Sequence, residues 1–244
     1  MQLVKKLGDG HFGEVYEGTW NDTIRVAVKK LKDSGNESCK IDLLNEARLL
    51  KKVQHKKLVQ LYAICSLEDP IFIIMELMEK GALRSFLLTE EGKALKIFDL
   101  VDMAHQIACG MAYLERLCII HRDLAARNIL VGENNIVKIA DFGLSKFTKG
   151  YIGDINSGEH VLEERTNEKF PIKWSAPEAI LRKEFTIKSD VWSFGVLMFE
   201  LITKGKKPYP GMKNDEYLAK VRKCLPFTVC YIGPPPDPTS SCEK

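Results

Sequence analysis

Two short motifs constrain this chain most: His121-Arg122-Asp123-Leu124-Ala125-Ala126-Arg127-Asn128 and, a little further on, Asp141-Phe142-Gly143. Between them lie the apolar runs Ile129–Val131 and Ile136–Ala140, joined by Gly132, Glu133, Asn134 and Asn135, residues suited to a tight reversal. The pattern predicts an antiparallel hairpin. Closing it sets the start of one strand beside the end of the other, so Asn128 and Asp141 become neighbours. An amide oxygen beside a carboxylate suits a hard cation such as Mg²⁺, which takes one or two protein ligands and fills its shell with water and phosphate oxygens. Asp123 then sits in the same mouth, free to accept a proton. The set has the composition of a phosphoryl-transfer centre.

The remaining motifs follow in order. Leu7-Gly8-Asp9-Gly10-His11-Phe12-Gly13-Glu14-Val15 gives G-x-G-x-x-G-x-V, and Val26-Ala27-Val28-Lys29 alternates with period two. Glu46 falls on a helical segment, and Ala176-Pro177-Glu178 closes the series. A glycine-rich turn alone is a weak signal, since a dinucleotide-binding turn carries the same spacing. That alternative needs a strand running into a helix, whereas Glu14–Trp20 alternates as a strand. Taken together, the motifs from about Leu3 to about Lys223 resemble the catalytic domain of protein kinases, specifically cytoplasmic tyrosine kinases of the Src and Frk type.

Local patterns predict strands at Leu3–Leu7, Glu14–Trp20, Ile24–Leu31, Leu58–Ile64 and Ile71–Met75, with a helix over Cys39–Val53 and a linker at Glu76–Gly81. Long helices are predicted at Ile97–Leu117 and Asp190–Thr203. The second is almost wholly apolar and so is expected to be buried on all sides. The expected class is α+β: a two-lobed kinase fold with a small antiparallel sheet plus one helix, and a larger, mainly helical lobe that is incomplete at its C-terminus. The catalytic domain is expected over residues 1–225, divided near residue 78, with a proline-rich tail at 226–244 that holds five of the ten prolines.

The resemblance assigns roles residue by residue. Leu7, Gly8, Gly10, Gly13, Val15, Ala27, Met75, Glu76, Met78 and Leu130 would line the ATP site, with glycines letting backbone approach the phosphates. Lys29 shares a strand face with Ala27, opposite Val26 and Val28, and would reach the α and β phosphates. Glu46 lies on the apolar stripe of Leu43, Ala47 and Leu50, where an acid is costly without a partner, and the resemblance pairs it with Lys29. Asp123 would be the general base, with Asn128 and Asp141 holding Mg²⁺ or Mn²⁺. His121 and Phe142 read as packing elements, completed by Leu50 and Leu61. Kinases for serine and threonine usually carry a lysine two residues after the base. Here Ala125 stands there, and Arg127 with Phe170-Pro171-Ile172-Lys173-Trp174 matches the tyrosine-selective arrangement.

Two stretches depart from the family pattern. The segment from Asp141 to Glu178 is longer than in Src-type enzymes; Leu162 stands where they carry an autophosphorylated tyrosine, and Tyr151 is the segment's only tyrosine. Past Leu225 nothing resembles the last helices of the family, including the arginine that pairs with the counterpart of Glu178. A truncated or alternatively ended domain is therefore expected, with Glu178 orphaned and reliance on a chaperone. The runner-up reading is a nucleotide-binding decoy without catalysis.

A formal net charge of +3 and the lack of a long apolar run argue against nucleic acid as a partner and against a membrane span. Seven cysteines without C-x-x-C pairing read as reduced thiols of a cytoplasmic protein. Protein substrates bearing tyrosine are the expected partners. The resemblance makes Met75 the gatekeeper that would fill the pocket behind adenine, so Met75→Gly should admit bulky adenine analogues as inhibitors. A folded, ATP-binding variant that gains no such sensitivity would place the gatekeeper elsewhere.

Overall fold

The computed structural model describes residues 2–9, 13–21, 23–31, 37–67, 69–147, 162–163 and 171–224. Gly10, Lys32, Tyr151, Phe170 and the tail from Leu225, on which several sequence expectations fall, lie outside them.

The chain begins with β1 (Gln2–Asp9), β2 (Gly13–Trp20) and β3 (Ile24–Leu31), then α1 (Glu37–Lys52), β4 (Leu61–Cys65) and β5 (Phe72–Glu76). These strands form one antiparallel sheet in the order β1-β2-β3-β5-β4. Period-two alternation does the sorting. Val26 and Val28 point to one side, where they are fully buried with Ile74, while Lys29 and Leu31 serve the side facing α1. Helix α1 lays Leu43 and Ala47 against Leu31, Ile71 and Ile73, and Leu49, Leu50 and Val53 against the core of the second lobe. Fully burying such a side chain contributes roughly 1.5–3 kcal/mol. One helix therefore spans both apolar clusters.

The second lobe is mainly helical. It contains β6 (Gly81–Ala82), α2 (Leu83–Leu87), α3 (Glu90–Ala94), α4 (Ile97–Arg116), β7 (Ile119–Ile120), β8 (Ile129–Val131), β9 (Val137–Ile139), β10 (Lys146–Phe147), β11 (Leu162–Glu163), α5 (Pro177–Leu181), β12 (Glu184–Phe185), α6 (Ile187–Ile202) and α7 (Asn214–Cys224). The α+β class and the two-lobed kinase arrangement are as expected. The hairpin is there too: Ile129 pairs with Ile139 and Val131 with Val137, and the turn closes through Gly132 N–H donating to the Ile136 carbonyl at 2.9 Å. Asn134 and Asn135 take φ of 52° and 56°, a left-handed conformation asparagine tolerates better than most residues.

Three local expectations need correction. The strand read as Leu58–Ile64 starts only at Leu61, because Leu58 bridges to Ile139 and Val59 N–H donates to the Ile139 carbonyl at 2.9 Å. Those residues belong to the joint between the lobes. Helix α6 starts three residues before the expected Asp190, where Thr186 caps it and Ser189 completes a capping box. It is not buried all round: Val191 is 57% and Ile202 is 62% exposed, while Ser189, Asp190, Ser193 and Glu200 are buried. Its inward face is partly polar because those groups hold neighbouring loops. Glu178, expected to be a buried orphan, is partly exposed rather than fully buried, which lowers the penalty attached to its charge.

Gly110 marks the closest approach of α4 to the hairpin. A Cβ there would lie 2.8 Å from Ile139 Cδ1 and 3.1 Å from the Lys57 carbonyl oxygen. Gly110→Leu should therefore overpack the joint and cost about 1–3 kcal/mol, read as a lower urea midpoint.

Candidate active site

The catalytic segment lies between β7 and β8 and is held by its backbone. Asp190 on α6 accepts from the N–H groups of His121 at 2.7 Å and Arg122 at 3.0 Å. Glu200, nearly three turns further along the same helix, accepts from Ala126 N–H at 2.9 Å. Both acids are buried, and burial pushes their pKa values up against the opposing pull of these donors. His121 is fully buried with both ring nitrogens engaged: Nδ1 accepts from Asp123 N–H at 3.3 Å, and Nε2 meets the Ala140 carbonyl at 3.2 Å. That pairing requires the neutral tautomer with its proton on Nε2. Its ring lies 5.2 Å from that of Phe142, which is buried in the same cluster as Leu50, with Leu61 packed against it.

Asp123 sits at the mouth of this loop. Arg127 Nη2 pairs with its Oδ1, and Asn128 Nδ2 donates to Oδ2 at 2.8 Å and to the Asp123 carbonyl at 2.7 Å. Burial raises the Asp123 pKa above its ordinary value, opposed chiefly by Arg127 and by the Asn128 hydrogen bond, and Asp141 adds its repulsion. Both amide hydrogens of Asn128 are therefore taken, and Oδ1 is the atom left for a ligand. Ala140 N–H donates to the Asn128 carbonyl at 2.8 Å, which sets Asp141 beside it; Asp141 takes φ of 59°, a strained value for a non-glycine residue. Amide oxygen plus carboxylate is a donor set that fits Mg²⁺. Among the described residues no three His, Cys, Asp or Glu side chains cluster.

On the facing lobe, Lys29 and Glu46 are buried and paired at 2.6 Å. Burial pulls the Lys29 pKa down, but Glu46 and then Asp141 outweigh it and hold it above the usual lysine value. Asp141 acts electrostatically on both Lys29 and Asp123, raising the pKa of each.

The residues expected to line a nucleotide are spread over five strands. Val15 pairs with Lys29 and Ala27 with Met75 across the sheet. Leu130 lies on β8 opposite Lys138, whose Nζ pairs with the Glu76 carboxylate. That bond docks the end of β5 onto the hairpin. It also engages Glu76 Oε1, while Oε2 accepts from Gln60 N–H at 3.3 Å and the Glu76 N–H donates to the Gln60 carbonyl at 2.9 Å. Met78 is buried against Gly132, and Leu7 is 46% exposed on β1. Gly8 and Gly13 end β1 and begin β2, on either side of the undescribed Gly10.

Sequence reasoning missed Asp190, Glu200 and Arg122. Arg122 is buried with φ of 69°, donates to the Leu144 carbonyl at 3.1 Å and covers the Phe185 ring at 4.4 Å. The signal for the two acids was present, because each is a charge inside a run otherwise apolar enough for burial.

Residues 1–227 match the family described as protein tyrosine and serine/threonine kinase. The human protein named tyrosine-protein kinase FRK is 54% identical over 218 residues, which is 89% of this chain and 42% of that relative. The chain thus spans less than half the length of the curated relative it matches. On these grounds the chain belongs to the protein tyrosine and serine/threonine kinase family.

Proposed function

We propose that this chain transfers the γ-phosphoryl group of ATP to tyrosine hydroxyls of proteins, as a cytoplasmic, non-receptor enzyme. The observation that carries the reading is the Asp123 carboxylate, held between Arg127 and Asn128 with its pKa raised by burial. The new bond joins the tyrosine oxygen to the γ phosphorus, the bond to the β–γ bridging oxygen breaks, ADP leaves, and the phenolic proton passes to Asp123. Asn128 Oδ1 and Asp141 would hold Mg²⁺ or Mn²⁺, which supplies neutralisation of the phosphate charge. Lys29, aligned by Glu46, would hold the α and β phosphates, and the strand residues on either side of the hairpin joint would enclose adenine.

Selectivity for tyrosine is supported by two features. Ala125 and Ala126 are fully buried, which leaves no lysine beside the base. Arg127 lies 4.7 Å over the Trp174 ring, a cation–π contact on the segment expected to support a phenol. The cytoplasmic assignment draws on the described Cys65 and Cys109, which are free of disulfides. Among the described residues no helix is long and apolar enough to cross a membrane. Reliance on a chaperone is supported by apolar surface along α4 and α6, where Phe98 is 82% exposed and Val101, Val191 and Ile202 are exposed as well.

The test is incubation of the chain with radiolabelled ATP, Mg²⁺ and a Glu/Tyr copolymer. Asp123→Asn should lower incorporation by about 10²–10⁴-fold, the usual contribution of a positioned base. ATP binding by the parent without transfer would instead favour a non-catalytic nucleotide-binding module. The pH profile has a definite sign. A base works only when unprotonated, and a raised pKa means that it protonates at a higher pH. The acid limb of kcat/KM should therefore fall as pH drops through a value above the ordinary carboxylate range. An acid limb at or below that range would remove Asp123 as the base.

A further inference from the structure

Glu200 is the most costly unexplained group in the second lobe. It is fully buried, its Oε1 has no hydrogen-bond partner, and its Oε2 accepts two bonds, from Ala126 N–H at 2.9 Å and from Trp174 Nε1–H at 2.8 Å. Arg127 and Arg84 supply the nearest compensating charge. A structural acid with nothing to position would be replaced by an apolar residue at little cost. What this one holds is specific. The Trp174 indole is pinned at its ring nitrogen by Glu200 and at its carbonyl by Ser193 Oγ–H, 2.8 Å away on the same helix. The face of that indole carries the Arg127 guanidinium, and Arg127 in turn pairs with Asp123 Oδ1. The other bond fixes the start of the short turn Ala126–Asn128.

We infer that Glu200 is a positioning residue for the phosphoryl-acceptor half of the site. Through Trp174 and the Ala126 backbone it sets where Arg127, and with it the protein tyrosine substrate, sits relative to Asp123. The nucleotide half is held separately. Lys29 is aligned by Glu46, and Asn128 by Asp123, by the Ala125 carbonyl and by Ala140 N–H. Loss of Glu200 therefore acts on one substrate and spares the other. This inference rests on the proposed tyrosine-kinase reading, and its test uses binding as well as turnover.

The full chain is titrated with a fluorescent Glu/Tyr peptide, followed by anisotropy, and with a fluorescent ADP analogue. The variants are Glu200→Gln, Glu200→Ala and Trp174→Phe, with thermal melts as a check of folding. Glu200→Ala and Trp174→Phe should each weaken the peptide about tenfold, the loss expected for a hydrogen bond to a charged group. Glu200→Gln keeps one oxygen that can accept both bonds and should stay within about threefold of the parent. Nucleotide affinity should move less than about twofold in all three. The double variant should lose little beyond either single one, since both remove the same contact. In turnover, KM for the peptide should rise while KM for ATP holds.

Peptide and nucleotide affinities that fall together, or a peptide affinity that does not move, would overturn the inference and leave Glu200 a residue of the fold alone. If Glu200→Ala does not fold, Trp174→Phe decides by the same split. A parent that binds both ligands with this split but transfers no phosphoryl group sinks the kinase reading while the positioning role stands. A parent that binds neither overturns both.

Discussion

Two carboxylates buried on α6 hold the catalytic segment, and the acceptor side of the site inherits its geometry from them. Taking an ion out of water costs several kcal/mol even after relaxation, so such a group persists where hydrogen bonds answer its charge. Asp190 is answered by the N–H groups of His121 and Arg122, and Glu200 by Ala126 and Trp174. The loop they grip includes Arg122 in a left-handed conformation, a strained state that the surrounding contacts must hold. Freed of that grip, Asp123 would lose its fixed relation to Arg127, while Asn128 keeps its bonds to Asp123, Ala125 and Ala140.

The facing half of the site depends on a different device. Lys29 and Glu46 come from a strand and a helix with no covalent reason to be aligned, and their 2.6 Å bond in a dry interior ties the two together. Helix α1 packs its first half on the sheet and its second half on the core of the other lobe. The position of Glu46 therefore reports on how the lobes meet. Leu50, Phe142 and the His121 ring carry that packing down to the catalytic loop, and the Glu76–Lys138 pair with the Leu58–Ile139 bridge closes the joint behind the cleft. Breaking such a buried ion pair by removing one partner costs about 3–5 kcal/mol, large beside a typical total of about 5–15 kcal/mol.

Much of this was legible from residue order because local rules carried it. The hairpin followed from two apolar runs and a turn, and the face shared by Ala27 and Lys29 followed from a period of two. Glu46 stood out as an acid on an apolar stripe. The same rule applied to Asp190 and Glu200 would have found them, but the reading of α6 as uniformly apolar hid two charges in a strong hydrophobic average. The Leu58 error has another source. An extended apolar segment can pair with either neighbour, and nothing local says that Leu58 and Val59 join the hairpin rather than the sheet.

Residue order by itself determined the list of chemical groups: an ammonium, a base, an amide oxygen and two further carboxylates, each tied to a local element by period or turn. It also determined that the chain is a kinase-type sequence, since ordered motifs at fixed spacing survive without coordinates. Tertiary structure alone decided which nitrogen of His121 carries the proton, which oxygen of Asn128 is left open, and which buried acids hold the loop. Those outcomes hang on contacts between residues up to seventy-four positions apart, as between Ala126 and Glu200. Hydrogen bonds over such separations are set by how helices and loops pack, and no local pattern encodes them.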